Sequence, residues 1–257
     1  MMDEIGERLV WHYVPFTNIP IPFGGVNVDT IANTLLAMVV LWGVLWLCVR
    51  RLSWVPGRAQ AAVEAFVSSF DQIVHDALNP REKGEHRRYL PLIAVLFLFI
   101  FACNSLPLLP LPHVEEPTSD LNCTLALGSM TVVYSNYCGV RRHGARGRLR
   151  EMLGPFWAHE GPLTAGAVIG KLSGVFFFLP MAVVENLSRV VSISCRLFGN
   201  ITGAAIVIVV LGSLTYEMFT PMFLDVFLLV FESAVQAFVF AMLALVYLAI
   251  NLEEQGG

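Results

Sequence analysis

Apolar residues run in long stretches along this chain, and the polar residues that interrupt them recur at helical spacing. From Phe176 to Leu214 nearly every residue is apolar, yet Glu185, Arg189, Ser192, Arg196 and Asn200 lie inside the run. At 100° per residue these five fall at roughly 0°, 40°, 340°, 20° and 60°, which makes one polar stripe on an apolar helix. Ser188, Gly199 and Gly203 share that face at about 300°, 320° and 0°, and small residues there let a neighbouring helix come close. The last apolar run, Met222 to Ile250, repeats the device. Asp225, Glu232 and Gln236 fall at about 0°, 340° and 20°, with Tyr247 near 40°. At 1.5 Å per residue the two helices would extend ~58 and ~44 Å, more than a ~30 Å hydrocarbon core, so both must tilt or bend. An ionisable residue inside such a helix costs about 2.5–3.5 kcal/mol on insertion scales, which makes Arg196 the first candidate for function.

The rest of the pattern predicts an all-α integral membrane protein with about five spanning helices plus an interfacial helix. The segments form a single membrane domain over 1–257. An external tail over 1–27 precedes a first span over 28–49. An inside loop over 50–88 contains a surface helix whose Val63, Phe66, Val67, Phe70 and Val74 mark one face, equally consistent with the membrane interface and with packing on other protein. A second span over 89–110 ends at Pro107, Pro110 and Pro112, and an outside turn over 111–120 carries Glu115, Glu116 and Asp120. The third span, 121–140, is diluted by Asn122, Thr124, Ser129, Thr131, Ser135 and Asn136, which predicts burial against other helices. An inside basic loop over 141–174 carries Gly166, Gly170 and Gly174 at intervals of four, either a close-packing seam or a flexible re-entry. The long Arg-bearing helix over 175–214, an outside turn over 215–221, the last helix over 222–250 and an inside tail over 251–257 complete the chain.

Composition agrees: 56% of residues are hydrophobic and 14% charged, against about 25% charged in ordinary soluble domains, and the mean hydropathy is +0.67. The net charge of -4 matters less than where the cations sit. Of the 16 Lys and Arg, seven lie between Arg50 and Arg88 and six between Arg141 and Lys171, so both stretches share the inside and the amino terminus is outside. The five cysteines, Cys48, Cys103, Cys123, Cys138 and Cys195, lie in or beside apolar runs without metal-ligand spacing and read as small buried hydrophobes. The six histidines lie outside the spans and no metal or cofactor site is expected. The nearest phosphate-loop look-alike, GAVIGKLS, lacks the glycine spacing and the Ser or Thr after Lys, which argues against ATP hydrolysis by this chain. The start lacks the features of a signal or transit peptide, so a bacterial plasma (inner) membrane or an organelle inner membrane is the expected location.

The residues SRVVSISCRLFGNITG resemble the Arg-containing helix of subunit a of F-type ATP synthases, whose signature runs close to S-R-P-x-S-L-S-x-R-L-F-G-N. EAFVSSFDQIVHD, YLPLIAVLFLFIFACNSLPLLP, PTSDLNCTLAL and VQAFVFAMLALVYL resemble that family in the same order. The resemblance implies a non-catalytic stator subunit whose last two helices face a ring of c subunits, with peripheral-stalk b subunits, the rest of the ATP synthase and the lipid bilayer as partners, and no nucleic acid. It matches Arg196 to the family's essential arginine, Asn200 to the asparagine one turn on, and Gln236 to the glutamine of the last helix. It also implies two offset half-channels that load and unload H⁺ on the ring, with Arg196 between them.

The chain departs from the family pattern in several places. Val190 replaces the proline usual after Ser-Arg. Glu185 stands eleven residues before the arginine, as the acid does in some members, while Ala182 occupies the alternative place. Ala205 and Leu229 stand where many members carry an acid or histidine, so Glu232 becomes the candidate outer relay and Glu185 the inner one. For Glu185 the alternative is a salt bridge with Arg189 at i, i+4; for Glu232 it is a structural hydrogen bond. Arg189, Ser192 and Asp225 are secondary candidates. A Na⁺-translocating form of the same subunit and a stand-alone secondary transporter are the rival functions, although the transporter would carry internal repeats that are not found here.

Overall fold

Among the described residues the chain forms six α-helices: α1 (Val28–Val49), α2 (Arg58–Leu78), α3 (Leu90–Asn104), α4 (Leu121–Met152), α5 (Ala165–Leu214) and α6 (Thr220–Leu252). The structure, a computed structural model, describes residues 10–11, 26–50, 54, 57–78, 84–109, 115–152, 165–214 and 220–252. Parts of the outer tail, of the inside basic loop, of the 215–221 turn and of the final tail lie outside them. Ahead of α1 the strands β1 (Val10–Trp11) and β2 (Val26–Asn27) pair antiparallel, Val10 with Asn27 and Trp11 with Val26. That short ladder lies where only a tail was expected.

Among the described residues three helical segments are long and apolar enough to cross a membrane, Val28–Val49, Phe176–Ala204 and Leu229–Leu252, and Leu90–Asn104 is a shorter apolar helix. The protein is therefore an all-α membrane protein. Contacts group its residues into two compact units, the first built from Met1–Phe66, Val95–Cys123 and Phe198–Phe238, the second from Val67–Ala94, Thr124–Leu197 and Val239–Gly257.

In the first unit α1 packs on the end of α3. Ala37, Cys103 and Leu106 are buried together, with Leu36, Phe99 and Leu109 against them. At the outer end Asp120 does three jobs. Its Oδ1 accepts the Asn122 backbone N–H at 2.9 Å, the N-cap of α4, and its Oδ2 accepts from the Asn27 amide and, at 3.1 Å, from the Thr30 hydroxyl. Thr118 donates to Asn104 Oδ1 and so ties the turn to the end of α3. The PTSDLN stretch is thus a polar clamp across three chain segments.

In the second unit α4 holds its neighbours through the polar side chains that dilute its hydropathy. Ser194 of α5 donates to the Thr124 carbonyl at 3.0 Å, and Asn136 donates to Asn186 Oδ1 at 2.9 Å. Ser135 donates to the Tyr247 carbonyl at 2.8 Å and accepts from Asn251. Thr124, Thr131 and Ser135 are all buried, where an unmet hydroxyl would be costly in an apolar setting. Tyr89, Cys138, Leu248 and Leu252 form an apolar cluster joined by Leu78 and Tyr134. Glu85 pairs with Arg142 at 3.2 Å, and His86 Nε2 lies 3.2 Å from Asp71 Oδ1. α2 buries Phe70 and Val74, so part of its apolar face packs on protein.

Two helices reach further than their hydrophobic pattern suggested. α4 continues through the basic stretch to Met152, with a break at Gly144, whose φ of 74° and ψ of 157° lie outside helical space and favour glycine. α5 begins at Ala165 instead of 175 and runs through Pro180, which removes one helical hydrogen bond, that to the Phe176 carbonyl.

α4 and α5 approach closely at Gly128. A Cβ there would lie 2.8 Å from the Ile193 side chain and 3.2 Å from the Val190 carbonyl, against the Ser194 hydroxyl, whereas Gly43 has open space around it. Gly128→Ala should therefore destabilise the second unit by about 1–3 kcal/mol, the usual cost of overpacking. Gly43→Ala should not destabilise, and thermal unfolding of the detergent-solubilised complex checks the difference.

Candidate functional site

The polar stripe of α5 faces outward. Ile193, Ser194, Leu197 and Ile201 are buried, and Glu185, Ser188, Ser192, Arg196, Gly199, Asn200 and Gly203 are exposed. The buried face is fixed by Ser194 bonding α4 and by the close approach at Gly128, so the stripe is turned away from α4 by helix geometry alone. Nothing lies within 4 Å of a Cβ placed at Gly199 or Gly203. Among the described residues Arg196 makes no ion pair and no side-chain hydrogen bond.

Arg189, two turns earlier on the same stripe, is placed differently. It is paired with Glu185 at i, i+4 and lies 5.2 Å over the Tyr247 ring, a cation–π contact. Its side chain is 16% exposed while that of Glu185 is 59% exposed. The salt bridge left open by the sequence is therefore present, and among the described residues the second carboxylate oxygen of Glu185 has no donor. An exposed pair of this kind contributes about 0.3–0.5 kcal/mol, too little to account for two charges on an apolar helix.

On α6, Gln236 is buried at 4% exposure, and Ser233 beside it donates back to the Leu229 carbonyl. Glu232 is half-buried, and its Oε1 is fully buried with no hydrogen-bond partner among the described residues. One helical turn separates Glu232 from Gln236, and one turn separates Arg196 from Asn200. Glu185, Arg189, Ser192 and Arg196 belong to the second unit; Asn200, Glu232 and Gln236 belong to the first. The side chains of Asp225 and Ala205 lie outside the described residues. Among the described residues no group of three or more His, Cys, Asp or Glu could hold a metal ion.

One acid was placed by sequence only as part of a turn. Glu116 precedes the single 3-10 turn Pro117–Ser119 ahead of α4 and is half-buried. Burial first, and then the Glu232 carboxylate, push its pKa up from the ordinary 4.5 to about 7. The available signal was two adjacent acids beside a proline, immediately before a helix start, on the side opposite the basic loops.

A raised folded-state pKa means that native Glu116 keeps a proton the unfolded chain has already released. The native state then loses stability as pH rises from about 4.5 to about 7. Glu116→Gln should flatten that part of the stability profile, matching wild type below the window and exceeding it above. The thermal midpoint of the purified complex measured against pH reads this directly.

The chain matches the family described as ATP synthase A chain over residues 31–249. It is 33% identical over 222 residues to ATP synthase subunit a of Moorella thermoacetica, covering 86% of this chain and 89% of that protein. It is 36% identical over 225 residues to ATP synthase subunit a 1 of Syntrophotalea carbinolica, covering 87% and 86%. With ATP synthase subunit a of Solidesulfovibrio magneticus it shares 35% identity over 219 residues, covering 85% and 82%. A family match spanning nearly the whole chain, together with relatives above 30% identity at this coverage, places the chain in the ATP synthase A chain family.

Proposed function

We propose that this chain is the stator ion channel of a rotary ATP synthase, in which Arg196 separates two offset half-channels that load and unload H⁺ on a ring of c subunits. Membership of the family makes it a membrane-sector subunit of an ATP synthase complex. The observation that carries the finer reading is the contrast along α5: Arg189 is paired and stacked, whereas Arg196 is exposed, unpaired among the described residues and flanked by open glycines. A bare guanidinium on an apolar helix is too costly to leave facing lipid, so the stripe needs a polar partner that arrives from outside this chain.

A passing ring carboxyl supplies such a partner. It is neutral while it faces lipid and ionises beside Arg196, because an opposite charge within ~4–6 Å lowers an acid's pKa by about 1–3 units. The guanidinium itself stays protonated and repels a proton attempting to pass straight through. Glu232 and Gln236 line the outer half-channel in this reading, Glu185 the inner one, and Asn200 helps orient the ring carboxyl. The membrane potential, ~2.3 kcal/mol per charge per 100 mV, biases rotation. In this reading the b subunits complete the stator and the membrane is a bacterial inner membrane, with the basic stretches facing the cytoplasm.

Arg196→Ala should abolish ATP-driven proton pumping in membrane vesicles while the complex still assembles. Arg196→Lys should fail nearly as badly, since a compact ammonium lacks the planar fork. Arg189→Ala should be milder, because that side chain already has its partners. Coupled pumping by Arg196→Ala at the wild-type rate would sink the mechanism, and Na⁺-dependent pumping by the wild type would shift the cargo to Na⁺.

Glu232→Ala should slow proton entry by on the order of a hundredfold, the lower end of what a placed acid–base group contributes. Adding the carboxyl back as Ala205→Glu in that background should recover part of the flux. A double variant that assembles normally and stays as slow as the single one contradicts the relay role.

A further inference from the structure

Tyr247 shares the polar face of α6 with Glu232 and Gln236 by helical spacing, and within the second unit three helices meet at it. Ser135 of α4 donates to the Tyr247 carbonyl at 2.8 Å and accepts from Asn251, one turn on along α6. The next residue of α4, Asn136, donates at 2.9 Å to Asn186 Oδ1 of α5. Two adjacent side chains of α4 therefore fix α6 and α5 at one level. Across that level the Arg189 guanidinium, three residues after Asn186, lies 5.2 Å from the centre of the Tyr247 ring.

The ion pair that Arg189 makes with Glu185 is lopsided. The Arg189 side chain is 16% exposed and that of Glu185 59%, so the cation is drawn in against the ring while the acid is left out. An exposed i, i+4 pair is too weak to hold a guanidinium in one place, whereas a cation over a ring face away from water is held more firmly. Tyr247 thus sets where Arg189 lies, and through it where Glu185 lies. One Glu185 oxygen meets the guanidinium, and among the described residues the other has no donor.

We propose that Tyr247 is a positioning residue of the inner half-channel: its ring face holds Arg189, so that Arg189 holds one Glu185 oxygen and the other stays open to take a proton from the ring carboxyl. The inference deepens the half-channel reading and rests on Glu185 being its inner relay. The proton step balances without electron transfer. The ring carboxyl gives its proton to the open Glu185 oxygen and becomes the anion that Arg196 attracts, and Glu185 then passes the proton to water on the inside. The same contact sorts the charges of the stripe. Arg189 and Arg196 stand seven residues, ~10.5 Å, apart along α5. With Arg189 drawn to α6, the departing carboxylate meets one outward cation instead of two. The contact uses the negative face of the ring, so a phenyl ring can take the place of the phenol.

The test uses the whole ATP synthase in sealed vesicles, with the initial rate of ATP-driven proton pumping as the readout. Tyr247→Phe should keep most of the rate. Phenylalanines carrying one, two and three ring fluorines, placed at 247, keep the shape of the ring and drain negative charge from its face, and they should lower the rate stepwise. Tyr247→Leu should lower it about fivefold, the factor carried by one such contact. Arg189→Gln should be about as slow, and the double variant with Tyr247→Leu no slower than Arg189→Gln alone, because both changes act through one guanidinium. Fluorinated rings that pump as fast as Tyr247→Phe, a wild-type rate in Tyr247→Leu, or a double variant slower by the product of the single effects overturns the inference. Slow pumping in Glu185→Gln with no loss in Tyr247→Leu defeats only the positioning role, whereas full pumping in Glu185→Gln defeats the inner-relay reading on which it rests. Should Tyr247→Leu fail to assemble, the fluorinated series decides alone, since its members share one shape: a stepwise fall supports the role of the ring, and a flat series overturns it.

Discussion

A guanidinium carried on an apolar helix with no partner among the described residues is the constraint from which the rest of the site follows. Arg196 could be neutralised locally, as Arg189 is by Glu185 and the Tyr247 ring, and among the described residues it is not. The α5 surface beside it is instead kept small by Gly199 and Gly203, while the opposite face is bonded to α4 through Ser194. The helix is thereby held in one rotation, with the charge turned out. Bare charge in hydrocarbon is unstable, so under the proposed function this face is completed by a surface that brings a carboxyl.

Holding that rotation falls to polar groups, because lipid offers helices no hydrophobic drive to associate. α4 supplies them. Ser135 links to α6 at Tyr247 and Asn251, Asn136 to Asn186, and Gly128 lets α5 approach closely. In the first unit Asp120 and Thr118 do the same for α1 and α3. The low hydropathy of α4 thus has a structural cause: it is the helix whose side chains meet protein on several sides.

The all-α class and the outward stripe of α5 were legible because a helix repeats every 3.6 residues, so five polar residues on one face stand out in an apolar run. Thr124, Thr131 and Ser135 likewise announced burial by being polar within a span. Three features were not legible. The close approach at Gly128 depends on Ile193 and Ser194, far away in sequence. The extent of α5 back to Ala165 runs through Gly166, Gly170 and Gly174, which read locally as part of a loop. Glu116 looked like an ordinary turn acid, since its burial arises only in the folded chain. Whether Glu185 was paired also needed coordinates, as helical spacing permits a salt bridge without requiring one.

Cross-linking from the open glycine face tests the central claim most directly. In the assembled enzyme with the native cysteines replaced, Gly203→Cys carrying a short photoreactive thiol reagent should form an adduct with the small ring subunit, and Ile193→Cys, buried against α4, should not. An intact complex in which Gly203→Cys reacts with lipid alone would contradict the account, because the Arg196 face would then have no ring against it.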